Sequence, residues 1–175
     1  MHVQLKLLLA CSPEAAADAL ANPEVMVAVT KPLVVYRSEE ASGFPRRWDD
    51  VPRRVSARIL GLVSLGTTHV DLRWYEVEGA RIQEDTGRGV TGQFSRLTIR
   101  HRMAISRAPH SSGLARGTLL RDRLEFDAGL LTPVLWPGLW VVWQWRGWRM
   151  RQLAPTWSAP ADSATAPAAA TGETK

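Results

Sequence analysis

Eighteen consecutive residues without a charge, Ala128 to Trp145, constrain this chain of 175 residues more than any other feature. The run carries Leu130, Leu131, Val134, Leu135, Trp136, Leu139, Trp140, Val141, Val142, Trp143 and Trp145. As a helix it would extend about 27 Å, just short of a hydrocarbon core of about 30 Å. Arg146, Arg149 and Arg151 stand where cytoplasmic flanking charge belongs in a membrane protein. Pro133, Pro137, Gly138 and Gln144 interrupt the run, however, and its tryptophans occupy the middle instead of the interfaces they prefer. The helical pattern also continues past it. Leu135, Leu139, Val142, Arg146, Arg149 and Leu153 keep three- and four-residue spacing, which carries the helix to about residue 153. A helix that is apolar nearly all round is also one clasped by a sheet, and that reading outweighs a membrane span. Pro133 suits its first turn, and Pro137 should bend it, leaving room beneath.

The rest of the chain supplies strands to do the clasping. Val3, Leu5, Leu7 and Leu9 alternate with polar neighbours, giving a strand over 2–10. Ser12-Pro13-Glu14 is an N-cap, a first-turn proline and an acid at the positive helix end, so a helix follows over 13–21. Asn22-Pro23-Glu24 repeats that punctuation before a second short helix over 23–30. A strand over 33–39 and a charged, Gly- and Pro-bearing loop over 41–52 come next. Val55, Ala57, Ile59, Gly61 and Val63 share one face of a strand over 54–64, and Val70, Leu72 and Trp74 one face of a strand over 69–77. Leu65-Gly66-Thr67-Thr68 reads as the turn between them, which sets residue 63 opposite 70 and 59 opposite 74. A less regular strand over 80–86 leads into the Gly-rich DTGRGVTG at 85–92, which lacks the G-K-[ST] ending of a nucleotide loop and reads as an ordinary flexible connection.

The clearest alternation lies at 94–107 and 116–127. Leu97, Ile99, His101, Met103 and Ile105 share one face of the first strand, and Leu120, Asp122, Leu124 and Phe126 one face of the second. Each apolar face carries a single polar residue. An antiparallel hairpin with its loop centred between 111 and 112 sets His101 opposite Asp122, and a two-residue slip would keep them in diagonal contact. Asp122 then satisfies His101 in the core, or the pair marks the polar end of a ligand cavity. On the outer face the same register opposes Arg100 with Arg123, Arg102 with Arg121 and Arg96 with Asp127. Glu84 and Asp85 are the acids nearest to neutralise that surface.

One domain is the expectation for a chain of this length, running over 1–157, with the Ala-, Pro-, Ser- and Thr-rich segment 158–175 as a disordered tail. The 22 Lys and Arg exceed the 17 Asp and Glu by five, a balance that does not by itself select nucleic acid, membrane or acidic ligand. The single Cys11 forms no internal disulfide, and four scattered histidines give no metal spacing. No cofactor motif is present. The N-terminus lacks a secretory signal, so the expected location is the cytoplasm.

The order of strand, two short helices, six strands and a long terminal helix resembles the START/Bet v 1-like superfamily, also called SRPBCC or polyketide cyclase/dehydrase-like. Ser12-Pro13-Glu14 is similar to its helix start "sPe.v", and His101 in IRHRM to its strand "H.H.F" with Met103 in the last place. The segment 117–126, GTLLRDRLEF, resembles "GT.l.D.v.Y", and Arg146 stands where a terminal-helix arginine often occurs. The resemblance covers residues 1 to about 153. It implies an α+β helix-grip fold, a curved antiparallel sheet of about seven strands around the terminal helix, enclosing a cavity. It implies no particular reaction, since members include cyclases, dehydratases and lipid or hormone carriers. The leading expectation is binding of an apolar or aromatic small molecule or lipid, lined by Trp74, His101, Met103, Asp122, Trp140 and Trp143. One alternative is a cyclase or dehydratase using His101 as proton acceptor and Asp122 to orient it. Another is peripheral binding of anionic membrane or nucleic acid through the arginine-rich sheet face.

Overall fold

Alternation in the first eight residues starts the sheet. In a computed structural model that describes residues 1–114 and 116–158, β1 (His2–Leu9) buries Val3, Leu5, Leu7 and Leu9 and turns the intervening residues outward. The segment from 159 onward, and with it nearly all of the expected tail, lies outside the described residues. Both punctuated helices form where their caps place them. In α1 (Pro13–Leu20) the Ser12 hydroxyl accepts from the Ala15 N–H at 3.2 Å, and in α2 (Pro23–Thr30) the Asn22 side-chain carbonyl accepts from the Glu24 N–H at 2.8 Å.

The strands that follow are β2 (Val34–Ser38), β3 (Arg53–Ile59), β4 (Val63–Val70), β5 (Leu72–Val77), β6 (Ala80–Asp85), β7 (Thr98–Arg107) and β8 (Thr118–Asp127). All pair antiparallel, as β1-β8-β7-β6-β5 and as β2-β3-β4, with β4 passing into β5 at Asp71. There, Asp85 Oδ1 accepts the backbone N–H groups of Asp71 and Gly87, at 3.0 and 2.9 Å, and so holds the bend that divides one curved sheet into two wings.

Among the described residues eight strands form where about seven were expected, because the turn after β3 lies elsewhere. It falls at Leu60 and Gly61, both with positive φ, and pairs Ile59 with Val63; the expected pairings of 63 with 70 and 59 with 74 do not occur. Leucine carries no turn signal, so the sequence conceals this one. Gly66, the apparent turn residue, instead sits in β4 at a bulge, where the ladder steps from Ala57–Gly66 to Arg58–Ser64. A Cβ at Gly66 would meet the Thr91 carbonyl oxygen at 2.1 Å, so the glycine serves a close backbone approach. The other partner in that approach is the Gly-rich segment 86–91. It is tied to β4 through His69 N–H to Arg88 O (2.9 Å) and Val90 N–H to Thr67 O (2.8 Å), and its glycines admit the crossing backbone.

The terminal helix α3 (Thr132–Leu153) runs unbroken through Pro137 and ends where its spacing places it. Its two ends meet the sheet differently. At Gly147 a Cβ would come within 2.9 Å of Leu5 and 3.3 Å of Leu7, so the second half of the helix is seated directly on β1. At Gly138 nothing lies within 4 Å. The second half of the helix thus meets β1 at backbone-close range, while the first half reaches the sheet through large side chains, with Trp136 donating to the His2 carbonyl at 3.0 Å and packing with Leu139 on Val3, Leu124 and Phe126, and leaves open space beside Gly138. The main core packs under the seated half, from Leu5, Leu7 and Leu9 through Leu120 and Ile105 to Met150.

Candidate functional site

The wedge between α3 and the sheet is a cavity of about 660 Å³. Apolar side chains make most of its wall, among them Val29 of α2, Val34 of β2, Leu72 of β5, Ile99 of β7 and Val142 of α3. The loop 41–52 contributes too. Trp48, buried and edge-on to Phe44, is fixed by its backbone N–H donating to the Ala21 carbonyl at 2.8 Å, and its side chain joins the wall.

Polar groups gather where β6, β7 and α3 meet. Asp85 pairs across the ladder with His101, and Gln83 with Met103, and all four line the cavity with Tyr36 and Arg146. Behind this wall lies the fully buried Asp122. Its Oδ1 stands 2.7 Å from His101 Nε2 and accepts from Trp143 Nε1–H at 3.3 Å; its Oδ2 accepts from Arg146 Nη1. Arg146 Nη2 also donates to the Met103 sulfur at 3.1 Å, and the guanidinium lies over the Trp143 ring. His101 meets that ring edge-on at 5.4 Å.

Electrostatics fix the charge states of this cluster. A carboxylate held by a guanidinium only accepts, so the imidazole proton resides on Nε2 and Nδ1 keeps its lone pair. Burial, and after it the Arg146 charge, push His101 down to about 3, against the opposing pull of Asp85. Burial brings Arg146 down to about 10, so it stays charged at neutral pH. Burial also raises the Tyr36 phenol and the Asp85 carboxyl. The polar end thus holds the Arg146–Asp122 ion pair and a neutral histidine, with Asp85 and Tyr36 beside them.

The contact between His101 and Asp122 is as expected, but the register behind it is not. The hairpin pairs His101 with Leu124 and Met103 with Asp122, so the two groups meet diagonally. Alternation settles only which faces agree; the loop closes later than assumed, with Ala108 N–H bonded to Gly117 O, and shifts the ladder by two. The slip also rearranges the outer face. Arg100 faces Glu125 and is salt-bridged to Glu84, while Arg102 faces Arg123 with Glu125 reaching both, at 3.8 and 2.9 Å. Thr98, not Arg96, faces Asp127, which instead accepts from Gly129 N–H and the Thr132 hydroxyl ahead of α3.

Of the lining residues expected, His101, Met103 and Trp143 are on the cavity wall and Asp122 supports it from behind. Two are elsewhere. Trp140 points outward and is 45 % exposed, because its position on α3 faces away from the wedge. Trp74 packs against the main core with Arg81 over its ring at 4.7 Å. Sequence reasoning missed Tyr36, Gln83, Asp85 and, above all, Arg146. A signal for Arg146 existed: an arginine on the apolar stripe of a buried helix requires a carboxylate, and Asp122 was the one acid assigned to an inner face. Among the described residues no group of His, Cys, Asp or Glu is arranged to hold a metal ion, and no helix is long and apolar enough to cross a membrane.

No family model matches the chain, and no curated protein matches it in sequence. Solved structures do share its fold. Protein CV1439 from Chromobacterium violaceum is similar at 16% identity with a TM-score of 0.57, over 88% of this chain and 96% of that one. The hypothetical protein jhp0584 from Helicobacter pylori is similar at 7% identity and a TM-score of 0.60, over 88% of each chain. Ara h 8.0201, of the Bet v 1-like fold, is similar at 10% identity and a TM-score of 0.50, over 89% of this chain and 98% of that one. At these identities the likeness is one of architecture: this chain has the α+β helix-grip fold.

Proposed function

We propose that the protein binds a small apolar or aromatic molecule, or a lipid, in the cavity between the sheet and α3. The observation that carries this reading is the cavity itself: about 660 Å³, walled mainly by aliphatic and aromatic side chains, with a polar cluster around Arg146. Ligand sites commonly enclose roughly 300–1,000 Å³ with a few placed polar groups that orient the guest. The resemblance to the START/Bet v 1-like superfamily supports the same class of function. Because Asp122 already neutralises Arg146, and the spare Nδ1 of His101 accepts, the polar end favours an uncharged hydroxyl over a carboxylate. The test is titration of tryptophan fluorescence, with Trp48 and Trp143 in the wall, using a long-chain alcohol, the matching acid, a sterol and a polycyclic aromatic. Saturable change with the alcohol bound more tightly than the acid is the expected result. No response to any of them refutes the proposal.

A catalytic reading would use His101 as a base facing the cavity, with Asp122 orienting it. The ring is placed for it, yet burial, and after it the charge of Arg146 on the same carboxylate, holds the imidazole near pKa 3. An imidazole with so low a proton affinity is a poor general base at neutral pH, and binding accounts for the site better.

A further inference from the structure

The exposed large apolar side chains are concentrated at the mouth of the cavity. On one side stands the β3–β4 turn, with Ile59 and Leu60 in the cavity wall, Leu62 80 % exposed and Val63 62 % exposed. On the other stands the approach to α3, with Leu131 and Leu135 in the wall, Leu130 97 % exposed and Val134 72 % exposed. Exposed apolar groups clustered in this way at the rim of a cavity mark an interaction site.

Charge indicates which partner. Asp85, at the polar end, is the one acid among the residues lining the cavity, and the segments 25–37, 53–70, 86–98 and 128–158, which supply most of the others, contain no Asp or Glu, although the chain has 17. Exposed Arg58 adjoins Ile59, exposed Arg96 lines the mouth, and among the described residues neither belongs to an ion pair. A second copy docked by a two-fold axis would set this unpaired positive rim against itself. An anionic lipid surface meets both features, taking leucines into the acyl boundary and arginines onto its headgroups.

We propose that the mouth of the cavity, formed by the β3–β4 turn and the first turns of α3, docks on an anionic lipid bilayer. The docked orientation turns the cavity toward the acyl chains, so an apolar ligand passes between bilayer and protein without crossing water. That consequence rests on the ligand-binding reading above; the docking itself does not. The contact also differs from one through the sheet face, where Glu84 and Glu125 already engage Arg100, Arg102 and Arg123.

The test is cosedimentation of the full chain with vesicles of phosphatidylcholine alone or mixed with phosphatidylglycerol, at low and high salt. The mixed vesicles are expected to bind at least tenfold more tightly, and salt to weaken that binding. Leu62→Ser and Leu130→Ser, neither in the cavity wall, should each weaken it about tenfold with unchanged thermal unfolding. Arg96→Gln should weaken it about fivefold, and Arg121→Gln on the sheet face should leave it unchanged. Absence of binding to the mixed vesicles overturns the proposal. So does loss of binding in Arg121→Gln with none in the leucine variants, or a dimer in solution that Leu62→Ser dissociates. Fluorescence titration with a soluble apolar ligand separates the two readings: vesicle binding without ligand binding removes the cavity function alone, and the reverse removes docking alone.

Discussion

Asp122 gathers three donors at a point without solvent, and its removal is correspondingly costly. Asp122→Ala leaves Arg146 charged and buried, a loss of about 3–5 kcal/mol. Replacing both at once, Asp122→Leu with Arg146→Met, should cost much less, because the desolvation of two ions disappears with their attraction. Urea denaturation of the two single variants and the double gives the coupling, and additive losses would show that the pair does not act as a unit. His101 makes a second claim on stability, through pH. Its folded pKa lies near 3 and its unfolded value near 6.5, so the unfolded chain takes up the proton first as pH falls. Its contribution is present above about pH 6.5 and is lost toward pH 3, with a slope of up to about 1.4 kcal/mol per pH unit. Asp85, raised by burial, acts in the opposite sense and favours the folded state less as pH rises through its range. Comparing wild type with His101→Gln over pH 4–7 isolates the histidine; equal slopes would show that it does not titrate this way. The meeting of His101 with Asp122 was legible because each was the one polar residue on an apolar face. Arg146 was not placed with them, since helical spacing assigns a face to a residue and says nothing of what lies opposite.

Helix ends and strand alternation were the elements most readily anticipated, and turns and registers the least. Ser12 and Asn22 cap their helices by local bonds that depend on neighbouring residues alone. The β3–β4 turn depends on a leucine held at φ 50, a conformation that leucine does not advertise. Long-range demands of the sheet override its preference there. Leu60→Asn, which tolerates that backbone, should therefore stabilise the fold by about 1 kcal/mol in urea denaturation while removing an apolar group from the mouth. Destabilisation instead would mean that the leucine's packing outweighs its backbone cost. Gly66 shows the converse error, a glycine required by the approach of another segment and mistaken for a reversal of its own. The two-residue slip of the β7–β8 hairpin has the same origin: parity is written in alternation, whereas the loop's length in space depends on how residues 108–117 fold.

The cavity belongs to no single element; its walls come from α2, strands of both wings and α3, which is seated on β1 at Gly147 and leaves open space beside Gly138. Sequence reasoning reached the helix-grip architecture and a space beneath the helix, attributing that space to Pro137. The glycine positions locate it more directly: a Cβ at Gly147 would strike β1, whereas Gly138, on the cavity wall, borders open space. This gives a decisive substitution. Gly138 lies on the wall with nothing within 4 Å, so Gly138→Phe would place a ring in the cavity. Relieving the helix of a glycine and burying an aromatic should raise stability by about 1–2 kcal/mol, while ligand affinity falls at least tenfold for want of room. Gly138→Ala, with the helical gain of about 1 kcal/mol and little added volume, should bind as the wild type does. A ligand at a hundredfold excess over its Kd should stabilise wild type by about 2.7 kcal/mol, and this increment should vanish in Gly138→Phe alone. If Gly138→Phe retains full affinity, the ligand sits elsewhere, and the wedge is a packing consequence of how α3 is seated.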